Sequence, residues 1–92
     1  MKKWYELTIL TEKNEEILVK SMLDGFNIHG YKFTDDGVKT LAYPIDGIEK
    51  AHYYYVDWFE LTPSQCRELN NHLLTRTWIL RYLLVEVNRR PQ

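Results

Sequence analysis

The segment that most constrains the fold is AHYYYVDWFEL, residues Ala51 to Leu61, which is rich in aromatic and β-favouring residues. Alternation along a strand divides it into two faces: Tyr53, Tyr55, Phe59 and Leu61 on one, and Tyr54, Val56 and Trp58 on the other. Both faces are apolar or aromatic, which is typical of a strand inside a sheet and partly covered on each side. The chain must therefore supply neighbouring strands for it.

Three further segments have strand character. The segment from Trp4 to Thr11, WYELTILT, alternates apolar and polar residues and predicts a half-buried strand. Residues 31–45 predict a second strand, interrupted by a bulge or turn at Asp35-Asp36-Gly37. The last strand is predicted within WILRYLLVEV, residues 78–87. The turn residues Asp46 and Gly47 separate the second strand from the central one.

Two segments have helix character. Asn14 can cap a first helix whose apolar stripe consists of Leu18, Met22 and Phe26, and Gly30 is placed where such a helix could end. A second helix is predicted from Thr62-Pro63-Ser64-Gln65, which combines an N-cap, a proline at the first helical position and a capping-box glutamine. Cys66, Leu69 and Leu73 then line its apolar face.

The predicted order is βαββαβ, which indicates an α+β fold of the ferredoxin-like type. In this fold a four-stranded antiparallel sheet, with strand order 4-1-3-2, carries two helices on one face. A chain of 92 residues has room for one core, so we expect a single domain over residues 1–88 and a short basic tail over residues 89–92.

One proline tests this arrangement. Pro44 lies in KTLAYPI, residues 39–45, which is otherwise a strand-like segment. Proline donates no backbone hydrogen bond, so it is confined to edge strands or bulges. The predicted order places the second strand at an edge, and edges invite partners. We therefore expect Tyr43 and Pro44 to belong to a partner-binding region.

Composition argues against several classes of protein. The net charge is −1 at pH 7, and Cys66 is the only cysteine, which excludes an internal disulfide and suits a reducing, cytoplasmic compartment. No apolar run approaches the length of a membrane span. The histidines and carboxylates form no spacing typical of a metal site or an acid–base pair, so we expect no enzyme activity, no cofactor and no metal.

Basic residues meet aromatic ones near the chain termini. In the predicted sheet the first strand begins where the fourth ends, which brings Lys2 and Lys3 near Arg89 and Arg90, with Trp4 and Tyr5 adjacent. Such a cluster suits an RNA backbone with exposed bases. The alternative interpretation is that these terminal charges serve only solubility.

The sheet face opposite the helices supplies a second candidate surface. We expect it to carry an apolar patch on the third and fourth strands, formed by Tyr54, Val56, Trp58, Tyr82 and Leu84. Exposed patches of this kind mark a partner site. The partner is either another protein or a second copy of this chain.

Four blocks of sequence, in order, resemble the bacterial small-subunit ribosomal protein S6 family. They are the Lys2-Lys3-Trp4-Tyr5-Glu6 start, the His29-Gly30-Tyr31 helix exit, LAYPI at residues 41–45 with Lys39 before it, and Leu80-Arg81 in the final strand. The resemblance spans essentially the whole chain. It implies a non-catalytic protein that binds the central domain of small-subunit ribosomal RNA as a heterodimer with ribosomal protein S18.

The resemblance also implies residue roles. Lys2, Lys3, Tyr5, Lys39 and Arg81 match positions typical of the family, and the RNA contacts are expected among Lys2, Lys3, Lys39 and Arg81, with Arg89 and Arg90 behind them. Two departures from the resemblance are expected to reduce phosphate contacts and so to weaken RNA binding. Asp36-Gly37-Val38 stands where the family carries more positive charge, and the sequence ends at Gln92 where many members carry an extended tail. The rival hypothesis is a diverged module that forms homodimers through its open sheet and binds no RNA. A small-molecule-binding domain is not expected, since TEKNEE, residues 11–16, has no glycine.

Overall fold

The computed structural model describes residues 1–88, so the predicted tail, including Arg89 and Arg90, lies outside the described residues. Four strands and two helices alternate in the predicted order. The strands are β1 (Lys3–Thr11), β2 (Lys32–Ile45), β3 (Ile48–Leu61) and β4 (Arg81–Val87), and the helices are α1 (Glu16–Gly25) and α2 (Pro63–Leu74).

The sheet is antiparallel throughout and has the order β2-β3-β1-β4. This is the predicted 4-1-3-2 order read from the other side, and it confirms the ferredoxin-like fold. β1 and β3 are central, while β2 and β4 are edges. The central position of β3 explains why both of its faces carry apolar or aromatic side chains.

The core lies between the sheet and the two helices. Leu7 and Ile9 of β1 are fully buried, as are Val19 of α1 and Leu69 of α2. Tyr54 of β3 is buried with them, and its hydroxyl accepts a hydrogen bond from the Glu15 N–H at 2.8 Å. The same hydroxyl donates to Asn14 at 2.9 Å, so this polar group is satisfied at the start of α1.

The two helix starts follow the sequence signals closely. The capping box of α2 is present: the Gln65 N–H donates to the Thr62 hydroxyl at 3.2 Å, and the Thr62 N–H donates to the Gln65 side chain at 2.8 Å. At α1 the Asn14 side chain accepts from the Glu16 N–H at 3.1 Å, although Glu15 occupies the N-cap position.

The predicted face of α1 is confirmed for Met22 and Phe26 but wrong for Leu18, and the predicted end is wrong. Its buried residues are Val19, Met22 and Leu23, whereas Leu18 is 42% exposed. The helix ends at Gly25, because Asn27 turns the chain with a positive φ of 56° before Gly30 is reached. Leu18 and Leu23 are both apolar, so the sequence pattern did not distinguish which of them faces the sheet.

A β-bulge at Trp58 changes the faces of β3. Tyr5 pairs with Phe59 and Glu6 with Asp57, so Trp58 is an extra residue in the ladder, with a positive φ of 63°. Before the bulge the even-numbered residues face the helices, and after it the odd-numbered ones do. The predicted alternation is therefore wrong across Trp58: Phe59 and Leu61 share the buried face with Tyr54 and Val56.

A second irregularity lies in the β2–β3 hairpin. Its turn consists of Asp46 and Gly47, both with positive φ (48° and 79°), as a two-residue hairpin turn of type I′ requires. Thr40 pairs with Lys50 and Ile45 with Ile48, so residues 41–44 have no register partners on β3. Pro44 lies in this bulge of an edge strand, where its missing donor costs no ladder hydrogen bond.

Candidate nucleic-acid and protein interface

The bulge in β2 builds a groove on the sheet face that carries no helix. This hairpin groove has a volume of about 420 Å³. It is lined by Thr8, Leu10, Leu41, Ala42, Tyr43, Ile45, Tyr53, Arg81, Tyr82 and Leu83. Tyr43 is 84% exposed and Leu83 is 62% exposed, so the groove presents large apolar side chains to solvent. Such a surface is typical of a protein contact.

Lys39 stands beside the hairpin groove. Its ammonium lies 5.2 Å from the ring centroid of Tyr53 and 6.0 Å from that of Tyr55, which is cation–π distance. It also forms a salt bridge with Asp36, and the hydrogen bond to that carboxylate raises the pKa of Lys39. The charge of Lys39 is therefore partly neutralised within the chain itself.

The middle of the same sheet face is acidic. Glu6 of β1 and Asp57 of β3 are register partners, and both are half-buried. Two carboxylates directly opposite each other repel an approaching phosphate and attract a cationic group. The open face thus combines an apolar groove with a negative centre.

A second groove lies at the other end of the sheet, where β1 begins and β3 ends. This tryptophan groove has a volume of about 440 Å³. It is lined by Lys2, Trp4, Asn27, His29, Gly30, Trp58 and Glu60. Beside it, the Lys32 ammonium lies 5.8 Å from the ring centroid of Trp58. This end of the molecule therefore combines two tryptophans with two lysines.

The structure brings only part of the predicted RNA-binding set together. Lys2 and Trp4 line the tryptophan groove, and Lys3 is adjacent in the chain but forms a 3.6 Å salt bridge with Glu86. Arg81 lies at the opposite end, because Leu10 pairs with Arg81 while Trp4 pairs with Val87. Six residues of strand separate the two positions by about 20 Å.

Tyr5 is not available to a ligand on the surface. It is 6% exposed, packs against Phe59 with ring centroids 6.3 Å apart, and faces the helices. Burial and a hydrogen bond involving the Cys66 thiol raise the pKa of Tyr5 to about 12. The prediction that Tyr5 belongs to the RNA-binding surface is therefore wrong. Neighbouring residues of a strand point to opposite faces, so Tyr5 and Trp4 lie on opposite sides of the sheet.

The predicted apolar patch is also wrong for most of its members. Tyr54 and Val56 are fully buried, and Tyr82 and Leu84 pack, partly buried, against the core. Tyr82 additionally donates from its hydroxyl to the Asn70 side chain at 2.8 Å. These four side chains face the helices. Trp58 is the extra residue of the β-bulge and does not follow the alternation.

The residues that replace this patch are their neighbours in the chain. Leu83 and Val85 of β4 are 62% and 42% exposed on the open face. Tyr53 and Tyr55 of β3 lie there too, with their ring centroids 6.5 Å apart. β3 and β4 are rich in tyrosine and leucine, so the residues on both of their faces are apolar. Only the pairing register of the sheet shows which set is exposed.

The part of the chain that the structure describes holds neither a metal-binding cluster nor a helix that could cross a membrane. Within residues 1–88 no group of three or more histidine, cysteine, aspartate or glutamate side chains is arranged to hold a metal ion. Over the same residues, neither α1 nor α2 has the length and apolar character needed to span a bilayer.

Comparison with known proteins gives a consistent family. The family model for ribosomal protein S6 matches residues 5–86. The chain is 33% identical to small ribosomal subunit protein bS6 of Vesicomyosocius okutanii over 92 residues, covering 92% of this chain and 80% of that protein. It is 31% identical to small ribosomal subunit protein bS6 of Buchnera aphidicola over 90 residues, covering 88% and 68% respectively.

Solved structures show the same fold. The structure resembles 30S ribosomal protein S6 from Thermotoga maritima with a TM-score of 0.78 and 20% identity, covering 95% of this chain and 89% of that one. An uncharacterized protein from Thermotoga maritima, TM1266, is similar with a TM-score of 0.60 and 20% identity over 96% of this chain and 100% of its own.

Proposed function

Because this chain belongs to the ribosomal protein S6 family, whose members are structural and non-enzymatic, we propose that it binds small-subunit ribosomal RNA together with ribosomal protein S18. The binding is to the central domain of that RNA, within ribosomes of the cytoplasm. The observation that carries the proposal is the hairpin groove, an exposed apolar surface on the helix-free face of the sheet.

The chemistry of the open face supports a protein occupant there. Leu83 and Tyr43 offer apolar contact area, and aromatic residues dominate the buried centres of protein interfaces. The acidic pair Glu6 and Asp57 favours a basic partner over a nucleic acid. A basic protein that itself contacts RNA satisfies both requirements.

The charge distribution supports RNA at the other end. Lys2 has no salt-bridge partner within residues 1–88, and it lies beside Trp4 in the tryptophan groove. Unpaired lysines release counterions when they meet phosphate, and aromatic rings stack on unpaired bases. With a net charge of −1, the chain as a whole does not attract RNA electrostatically, which is consistent with the need for a protein partner.

The test measures binding of a central-domain fragment of small-subunit ribosomal RNA by electrophoretic mobility, with and without S18. We expect a stable ternary complex and a heterodimer with S18 by size-exclusion chromatography. A homodimer that is indifferent to S18 and binds no RNA would establish the rival interaction module instead.

A pair of variants ties the result to the hairpin groove. Leu83→Asp places a charge among apolar groove residues and is expected to weaken the S18 complex at least about tenfold. Ile17→Asp is the matched control, because Ile17 is an equally large aliphatic residue, 83% exposed on α1. Equal losses in both variants would contradict the placement of S18 in the groove.

A further inference from the structure

We propose that the tryptophan groove binds one unpaired nucleotide of RNA, stacks its base on Trp58, and prefers a base that carries an exocyclic amino group. The inference rests on the proposed RNA-binding function, of which it names the contact site and the base selectivity. It follows from the backbone at Trp58, the two nearby lysines and the carboxylate of Glu60.

The backbone at Trp58 is unusual for so large a residue. Its φ of 63° lies in the left-handed region, where bulky side chains are true outliers and glycine is the favoured residue of a bulge. Strained positions of this kind cluster at functional sites. The Trp58 ring is only half-buried, so the strain is not offset by full burial in the core.

The aromatic groups and charges around Trp58 match those of a nucleotide. Trp58 and Trp4 line the groove together, and an indole ring stacks on any base. Lys2 lies at the groove and the Lys32 ammonium lies 5.8 Å from the Trp58 ring centroid, so two exposed cations flank the stacking surface. A nucleotide whose phosphate is bound by either ammonium group can place its base on the indoles.

Glu60 supplies the selectivity. It is exposed, lines the same groove as Trp58, and is the register partner of Trp4. A carboxylate accepts hydrogen bonds and donates none, so it pairs with the amino group of cytosine and not with the carbonyl at the same position of uracil. A groove that bound phosphate alone would gain nothing from a carboxylate there.

The size of the groove and its surroundings agree with this occupant. A volume of about 440 Å³ falls in the range of small-ligand sites, roughly 300–1,000 Å³. The hairpin groove, of similar volume, lacks both tryptophans and has no carboxylate among its lining residues. Both grooves therefore combine aromatic rings with a cation, and the indole rings of Trp4 and Trp58 distinguish the tryptophan groove.

The experiment measures the affinity of short single-stranded oligocytidine and oligouridine for the full chain by fluorescence anisotropy at fixed salt. Cytosine and uracil have equal size, so their comparison isolates the amino group. We expect wild type to bind oligocytidine at least about fivefold more tightly. Trp58→Gly is expected to weaken both by a factor of roughly 5 to 150, which is the contribution of one stacked base.

Three further variants make the result specific. Trp58→Phe should recover much of the affinity, Glu60→Ala should abolish the preference for cytosine, and Tyr43→Ala in the hairpin groove should change neither. Trp58→Gly relieves the left-handed backbone but removes a half-buried residue, so its thermal unfolding midpoint is measured beside its affinity. A lower midpoint together with unchanged oligonucleotide affinity would assign Trp58 a structural role and overturn the inference.

The two levels of the hypothesis fail in different ways. If wild type binds the ribosomal RNA fragment with S18 while Trp58→Gly binds it equally well, the nucleotide site is wrong and the proposed function stands. If wild type binds no ribosomal RNA even with S18, the proposed function is wrong. Equal affinity of wild type for oligocytidine and oligouridine would overturn the base selectivity.

Discussion

The two ends of the sheet face carry grooves of nearly equal volume, about 420 Å³ and 440 Å³, but with different lining residues. The hairpin groove is mainly apolar and exposes Tyr43 and Leu83. The tryptophan groove combines Trp4 and Trp58 with lysine. Each groove lies at a place where the β-ladder is irregular: residues 41–44 of β2 in one case and Trp58 of β3 in the other.

Two irregular positions in the ladder give one small sheet two different surfaces. In a regular ladder, side chains alternate strictly and a face changes little along its length. A bulge adds unpaired residues, increases the twist and redirects side chains, and bulges are common next to functional sites. Here the bulge in the edge strand directs apolar side chains toward the open face, while the bulge in the central strand brings an indole to the end of the sheet.

The largest predicted effect tests which residues form the open face between the grooves. Val56→Lys is expected to destabilise the protein by about 4 kcal/mol or more, because Val56 is fully buried and its replacement would bury an unpaired charge. Val85→Lys is the matched control: Val85 is 42% exposed and pairs with Glu6, so a change under about 1 kcal/mol is expected. Urea unfolding of both variants measures the difference.

If both variants lost stability equally, or if Val56→Lys were tolerated, the faces of β3 would be those that strict alternation predicts. In that case the bulge at Trp58 would not exchange the two sets of side chains. The residues that line the two grooves would then be different from those given above.

The next effect tests whether Tyr5 is buried in the core while its neighbour Trp4 lines the tryptophan groove. Burial, together with the Cys66 thiol, raises the pKa of Tyr5 from 10.0 to about 12. A pKa that is higher in the folded state favours folding below pH 10.0, and this contribution is lost as the pH rises toward 12. The loss amounts to roughly 2–3 kcal/mol.

Tyr5→Phe removes the ionising group, so its stability should decline less between pH 10 and pH 12 than that of wild type. Denaturant unfolding at several pH values measures the slope. RNA affinity at neutral pH should be unchanged in this variant. A loss of RNA affinity would instead place Tyr5 in the nucleic-acid interface, as the sequence first indicated.

The third effect tests whether the hairpin groove binds S18 independently of the tryptophan groove. Tyr43→Asp is expected to weaken the S18 complex by about 2 kcal/mol, a typical value for an aromatic interface anchor. Tyr43 is 84% exposed, so folding should be unaffected. Isothermal titration with S18 measures the change, and oligonucleotide binding to the tryptophan groove serves as the control. Loss of both activities would mean that the two ends are not independent.

The fold was predictable because its signals are local. The capping box Thr62–Gln65 and the Asp46–Gly47 turn each depend on a few adjacent residues, and Pro44 agrees with the edge position that the strand order gives β2. The open face was not predictable, since Tyr53 and Tyr54 are equally suited to either side of β3. The register that decides between them depends on pairing with β1 and on the bulge at Trp58.

The smallest effect tests whether the two ends differ in charge as well as in shape. Lys2→Ala should reduce the slope of the logarithm of RNA affinity against the logarithm of salt concentration by about 1, because one phosphate contact is lost. Lys39→Ala is the matched control, since its ammonium is already engaged by Asp36 and by the rings of Tyr53 and Tyr55.

The slope is more informative here than the affinity at a single salt concentration. A lysine that contacts phosphate alters the number of counterions released, whereas one that stabilises the hairpin groove changes the affinity by the same factor at every concentration. Filter binding to the ribosomal RNA fragment over a range of potassium concentrations gives both quantities. A reduced slope for Lys39→Ala and not for Lys2→Ala would exchange the roles of the two ends, because the cation that meets the RNA would then lie beside the hairpin groove.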